Sequence, residues 1–297
     1  MSPIKTSLPA LLRLMRPHQW LKNAFVFVGL LFGHAWQTPH LLTQALMAFA
    51  AFSLLASGVY VMNDWMDREQ DRLHPEKRHR PLASGAVSSP QAMLLLLCCF
   101  GGGLALVFLS GNQAPWVFFS YVALNIGYTL GLKHVAVLDV FIIAAGFMLR
   151  ILAGTSGLGI PPSWWLLLCG LMLTLFLGFA KRRAECMALN HDAAAHRRVL
   201  EHYTPAMLDQ FITIASAATI ISYSLYTLNP ETIALHGSPH LIYTVPFVVY
   251  GMYRYLFLLH RQGEGGDPAR ILLRDPHLLA AGSGWLMLVL AILQRWL

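Results

Sequence analysis

Long apolar stretches separated by short polar connections run through the chain from one end to the other. Segments of about the 17 to 25 residues needed to cross a bilayer fall at approximately 21–36, 41–62, 91–110, 114–132, 136–153, 163–180, 208–228, 240–259 and 277–295, the first at the lower limit. This pattern predicts an all-α polytopic membrane protein with about nine transmembrane helices, organised as a single domain over residues 1–297. Ser89 followed by Pro90 reads as the N-cap and first-turn pair of the third span.

The charges in the connections alternate along the chain. Lys5, Arg13, Arg16 and Lys22 accompany the start of the first span, and Arg68 to Arg80 follow the second. Lys133 follows the fourth, Lys181, Arg182, Arg183, Arg197 and Arg198 the sixth, and Arg254, Arg261, Arg270 and Arg274 surround the last connection. The intervening loops, around Ala35–His40, Gly111–Pro115, Gly154–Pro162 and Asn229–Pro239, contain no Lys or Arg. By the positive-inside rule the N-terminus and every charged loop face the cytoplasm and the C-terminus lies outside, in a multi-pass protein of the inner (cytoplasmic) membrane. Only 12% of the residues are charged and 56% are hydrophobic, against roughly 25% charged in soluble domains. The net charge of +7 is therefore a topology signal and gives no reason to expect a nucleic-acid partner. No small-residue cleavage site follows the basic N-terminus, so the first span reads as a retained anchor. Cys98, Cys99, Cys169 and Cys186 lack metal-type spacing and read as packing residues.

Chemistry concentrates at the end of the second span. Asn63, Asp64, Asp67 and Asp71 stand at offsets 0, 1, 4 and 8, which on a helix places their oxygens within an arc of roughly 100°. Tyr60 points into the same arc. Carboxylates crowded on one face repel unless a cation sits among them, and an open set of oxygen ligands suits Mg²⁺ shared with substrate phosphates. The alternative is a solvated helix end whose acids pair with Arg68, Arg72 and Lys77. Pro81 and Gly85 stop the helix, so Lys77, Arg78, His79 and Arg80 are expected on a loop folded back beside the carboxylates.

Other charges sit close to the membrane or within it. Trp20 reads as an interfacial belt residue, and Lys22 either snorkels or turns inward toward a phosphate. Asp139 near a helix start suits a dipole partner. Arg150, 11 residues later and roughly 16 Å along a helix, lies near the middle of a span. An intramembrane arginine marks a functional pathway unless it forms an internal ion pair, for instance with Asp139. Lys181 and Glu185 are spaced for a helical i, i+4 contact, and Asn190-His191-Asp192 and Arg197-Arg198 follow. The stretch Gly263 to Pro276 reads as a lid or a plain connector. The seventh span carries Ser216, Thr219, Ser222, Tyr223, Ser224, Tyr226 and Thr227, which suit helix-to-helix hydrogen bonds.

The Asn63-Asp64-x-x-Asp67-x-x-x-Asp71 block resembles the UbiA-type superfamily of intramembrane prenyltransferases. That resemblance implies a helical bundle around a central cavity open to the cytoplasm. Arg16-Pro17-His18-Gln19-Trp20-Leu21-Lys22-Asn23, the run through Arg80-Pro81-Leu82-Ala83-Ser84-Gly85, Leu138-Asp139 with Arg150, and Lys181-Arg182-x-x-Glu185 are similar to its polyprenyl-phosphate phosphoribosyltransferase branch. Where prenyl-diphosphate users typically carry a second aspartate-rich motif, this chain has Lys181, Arg182 and Arg183, a basic wall opposite the acidic one. The resemblance then implies Mg²⁺ on Asn63 and Asp67, catalytic roles for Asp64, Asp67 and Asp71, and substrate contacts from Lys22, Tyr60, Lys77, Arg78, Arg80, Arg150 and Lys181. Its implied substrates are phosphoribosyl diphosphate and a polyprenyl (decaprenyl-type) phosphate, joined without a protein general base. Two rivals stand beside it: transfer of a prenyl group to an aromatic or other acceptor, and transport of a lipid. The sequence leaves open whether the chain forms a homo-oligomer.

Overall fold

A computed structural model describes residues 8–74, 77–188, 198–262, 271 and 274–296. Among these residues helices joined by turns make up the structure, without strands. Helix α1 (Leu8–Met15) leads into a 3-10 segment, Pro17–Phe27, and the short α2 (Val28–Phe32). There follow α3 (Pro39–Met66), α4 (Arg68–Leu73), α5 (Ser89–Leu109), α6 (Trp116–Leu130), α7 (Leu138–Gly154) and α8 (Trp164–Ala188). The chain ends with α9 (Pro205–Leu228), α10 (Pro230–His236), α11 (Val245–Gln262) and α12 (Pro276–Leu293). Asn190, His191, Asp192, Arg197, Lys5 and, of the Gly263–Pro276 stretch, residues 263–270, 272 and 273 lie outside the described residues.

Several starts obey one rule: a polar cap followed by proline, whose missing N–H costs nothing in a first turn. Thr204, Asn229 and Asp275 accept the N–H groups of Met207, Glu231 and Leu278, with Pro205, Pro230 and Pro276 next in line. At α5 the cap is Ser88 rather than Ser89: Gln91 Oε1 accepts both the Ser88 N–H (3.0 Å) and its hydroxyl (2.9 Å).

Seven helical stretches are long and apolar enough to cross a membrane, and α6 is a shorter apolar helix of 15 residues. The protein is a multi-pass membrane protein, but the expected nine full-length spans are not reached among the described residues. The first predicted span, 21–36, is the one that changes character: it is 3-10 helix as far as Phe27 and α-helix for only five residues after it. Bare backbones cross at this segment. A Cβ on Gly29 would lie 1.8 Å from the Gly154 carbonyl oxygen, and one on Gly154 would lie 1.7 Å from that of Val26. The apolar pattern signals a helix here, but not the contact that fixes its form.

The described chain forms two compact units. The first comprises Met1–Gly131 and Leu149–Pro161; the second, Leu132–Met148 and Pro162–Leu297. In the first, α3 packs along α5, and Phe52, Leu55, Val117, Phe118 and Tyr121 fill the core with Val26 and Leu30. In the second, α8 packs along α9, around Phe176, Phe179, Leu208, Ile212, Tyr255 and Leu259.

Candidate active site

The acidic motif closes α3. Helix α3 stops at Met66 and α4 begins at Arg68, with Asp67 between them at φ −87, ψ 3. The i→i−4 pattern nevertheless carries through, because the Asp67 N–H donates to the Asn63 carbonyl (2.9 Å) and the Asp71 N–H to that of Asp67 (2.8 Å). Asn63, Asp67 and Asp71 therefore keep helical spacing across the break, as the sequence predicts.

The two flanking aspartates are bound by arginines. Asp64, 3% exposed, receives Arg16 Nη2 at 2.7 Å and Arg80 Nη1 at 3.0 Å on the same oxygen, Oδ1. Arg80 Nη1 also reaches Asp71 Oδ2 at 2.8 Å. The loop carrying Arg80 is turned back by hydrogen bonds from Ser84 N–H to the Arg80 carbonyl and from Val87 N–H to that of Pro81, with Gly85 at φ +78. Arg68 and Arg72 pair with the exposed Glu69, outside the motif. The Arg68 and Arg72 guanidiniums beside Glu69 hold its carboxyl below the usual range, the Arg68 hydrogen bond contributing most. Lys77 is half-buried, while Arg78 and His79 are exposed.

Asn63 and Asp67 complete the face. The Thr129 hydroxyl of α6 lies 2.5 Å from Asn63 Oδ1 and 2.8 Å from the Asn125 carbonyl. An amide oxygen and a carboxylate one helical turn apart are hard oxygen donors of the kind a small divalent cation takes together with water and phosphate. Among the described residues no three His, Cys, Asp or Glu side chains form a cage by themselves. The two oxygens of Asn63 and Asp67 suit a cation that substrate oxygens help to hold.

The Arg16-to-Asn23 stretch is held against α3 by hydrogen bonds. Trp20, expected as a belt residue, donates its indole N–H to Ser57 Oγ (3.0 Å), and Asn23 Nδ2 donates to Ser53 Oγ (3.0 Å). That contact turns Asn23 Oδ1 toward Arg150, whose Nε donates to it at 2.7 Å. Arg150, 7% exposed, also donates to Tyr121 OH at 3.2 Å and lies over the Tyr121 and Phe52 rings at 4.7 and 5.3 Å. Lys22 and Tyr60 are half-buried, and Arg16 stacks on the Tyr60 ring at 5.0 Å. Asn63, Asp64, Asp67, Asp71, Tyr60, Lys22, Lys77, Arg78, Arg80 and Arg150 thus all belong to the first unit. Tyr121 and Thr129 are partners that the sequence pattern does not single out; Arg16 and Asn23 stand in it only as members of the Arg16-to-Asn23 block, without a role of their own.

Lys181 belongs to the second unit, half-buried on α8. The arginines beside it are not a basic wall. Arg182, 1% exposed, donates from Nε to Asp139 Oδ2 at 2.7 Å and pairs also with Glu185; Arg183 pairs with Asp209 and donates to the Leu259 carbonyl. Asp139, fully buried, is therefore an ion-pair partner of Arg182 rather than of Arg150, and more than a helix-dipole partner. Its other oxygen accepts the Tyr203 hydroxyl at 2.8 Å, and the same Tyr203 oxygen accepts the Val137 N–H at 2.5 Å. Val137 stands at φ +69, a left-handed conformation unusual for a β-branched residue. Burial pushes the Tyr203 phenol above its ordinary range, and donation to Asp139 adds to the effect, so it acts as a fixed donor. Tyr203→Phe is expected to cost about 1–3 kcal/mol, the penalty for stripping one partner from buried polar groups. Thermal melting of the purified protein measures this, and an unchanged melting point would show that the hydroxyl contributes nothing.

Against this geometry, residues 23–274 match the UbiA prenyltransferase family. The chain belongs to that family. A decaprenyl-phosphate phosphoribosyltransferase of Corynebacterium glutamicum is 33% identical to this UbiA-family chain over 292 residues, which is 97% of this chain and 87% of the relative. The protein of the same description from Mycolicibacterium smegmatis is also 33% identical, over 96% of this chain and 92% of its own length. Among solved structures, a UbiA homologue from Archaeoglobus fulgidus bound to GPP and Mg²⁺ superposes with a TM-score of 0.70 at 18% identity, covering 96% of this chain and 99% of that one. The last comparison establishes the UbiA fold for this chain and nothing about its substrates.

Proposed function

We propose that this protein transfers the 5-phosphoribosyl group of phosphoribosyl diphosphate to a polyprenyl phosphate of the decaprenyl type, releasing diphosphate and supplying a lipid-linked pentose for cell-envelope synthesis. The observation that carries this reading is similarity along almost the whole chain to decaprenyl-phosphate phosphoribosyltransferases, in a chain whose acidic motif sets two oxygen donors, Asn63 and Asp67, one helical turn apart. The reading treats both compact units as parts of one catalytic domain in the inner membrane, with the N-terminus and the acidic motif on the cytoplasmic side, as the loop charges indicate.

Asn63 and Asp67 would hold Mg²⁺, which when bound supplies positive charge to the diphosphate of the donor. Asp64 and Asp71 act through their arginines: they fix Arg16 and Arg80 at the rim of the motif and balance their charge. Arg80, Lys77 and Arg78 stabilise the diphosphate as it departs with growing negative charge, and Tyr60 offers a hydroxyl on the same face. Lys22, Arg150 and Lys181 are the cations assigned to the ribose 5-phosphate and the lipid phosphate. A phosphate oxygen of the lipid attacks C1 of the ribose as the bond to diphosphate breaks. The attacking oxygen is already anionic near neutral pH, so no side chain has to remove a proton.

A second reading is kept because a solved relative of the same fold binds GPP: prenyl transfer from a prenyl diphosphate. Membranes containing the protein, given labelled phosphoribosyl diphosphate and polyprenyl phosphate with Mg²⁺, are expected to place label in the organic phase. Failure with that donor, together with turnover of a prenyl diphosphate, would replace the first reading with the second. Turnover in detergent, where no second compartment exists, excludes a purely transporting role.

A further inference from the structure

We propose that Arg16 is a phosphate-contacting residue, presenting its guanidinium to the diphosphate of the donor beside Arg80. The inference rests on the reading above only in taking a diphosphate-bearing donor to sit on the acidic face. Three features of Arg16 point to it.

The backbone is the first. Arg16 stands at φ 55, ψ 60, left-handed, between α1 and the 3-10 segment that begins at Pro17. A non-glycine residue is strained there and persists where its surroundings enforce it. The turn directs the side chain onto α3 rather than letting it snorkel from a helix end.

The anchoring is the second. Among the described residues, the contacts of the side chain are one carboxylate oxygen of Asp64 at 2.7 Å and the Tyr60 ring at 5.0 Å. A guanidinium has five donors in a planar fork. Asp64 takes one nitrogen and Tyr60 one face, so the rest of the fork is held rigid, uncommitted and 26% exposed. The third is electrostatic. Arg80 Nη1 comes to the same Asp64 oxygen at 3.0 Å, so two positive groups converge on one negative atom. Asp64 and Asp71 neutralise the pair in sum, but the convergence concentrates positive charge at its outer edge, where an anion with several oxygens would relieve it. An arginine fork matches phosphate oxygens bidentately, which a lysine cannot do.

The competing role for Arg16 is a brace that only holds Asp64, and a binding measurement separates the two. The full-length protein in detergent or nanodiscs is titrated calorimetrically with inorganic diphosphate in excess Mg²⁺, and its melting point is taken without ligand. Arg16→Gln is expected to bind diphosphate roughly 10- to 100-fold more weakly, the range for losing a charge-assisted hydrogen bond. Arg16→Lys keeps the charge on Asp64 but not the fork, and is expected to melt like the wild type while binding about 3- to 10-fold more weakly. Wild-type affinity in a folded Arg16→Lys protein overturns the proposal, as does a lower melting point of Arg16→Gln with unchanged affinity. If Arg16→Gln fails to fold, Arg16→Lys alone decides. Inorganic diphosphate is common to both donor classes, so a failure of ribose transfer leaves this result standing, and the reverse holds as well.

Discussion

Asp67→Ala is expected to lower transfer by at least about a thousand-fold while leaving the fold in place. The size follows from the chemistry: a metal at a departing diphosphate contributes several kcal/mol of charge stabilisation, and about 4 kcal/mol is three decades in rate. The specificity follows from the structure. The Asp67 backbone holds the α3–α4 junction through its own N–H to Asn63 and its carbonyl to Asp71, and alanine preserves both bonds. Asp64 and Asp71 differ in this respect, because each anchors an arginine and its removal unbalances the Arg16–Arg80 pair. Lipid-phase label measured over a range of Mg²⁺, alongside the melting point, tests the point. A variant that regains wild-type rates at saturating Mg²⁺ would show that Asp67 is dispensable and would return the metal to other oxygens.

The largest expected effect on stability is at Arg182. Truncation to alanine leaves the fully buried Asp139 carboxylate with Tyr203 as its remaining side-chain donor among the described residues and is expected to cost about 3–5 kcal/mol, the range for removing one member of a buried ion pair. Replacing both members with apolar side chains is a different experiment, because the burial of two charges is itself unfavourable. Arg182→Met combined with Asp139→Leu is expected to recover most of the loss. Melting curves of the two single variants and the double variant give the coupling directly. A single Arg182→Ala variant as stable as the wild type would mean that the pair contributes only to positioning.

Much of this arrangement was legible in the sequence because its determinants are local. Apolar length gives the helices, and the offsets of Asn63, Asp64, Asp67 and Asp71 give a face that survives the break at Asp67. What stayed hidden depends on residues far apart in the chain. Arg16 finds Asp64 48 residues away, Arg182 and Asp139 are separated by 43, and Arg150 meets Asn23 across 127. No periodicity encodes such choices. Lys181, Arg182 and Arg183 read as one basic cluster, yet acids on other helices commit two of the three. The 3-10 form of the 21–36 segment is hidden for a related reason: hydropathy records how apolar a stretch is, not that Gly29 and Gly154 bring two backbones into contact.

The Thr129 hydroxyl carries a single proton and sits between two oxygens, the Asn125 carbonyl and the Asn63 amide. It donates to one of them at a time. When the proton goes to its own helix, the contact to Asn63 is satisfied by a half-turn of the amide, so that the NH₂ group donates to threonine and the carbonyl oxygen swings to the opposite side. When the proton goes to Asn63, that oxygen is engaged. The threonine thus decides which end of the asparagine meets it, and in the arrangement seen here it takes one lone pair of the amide oxygen and leaves the second for a cation.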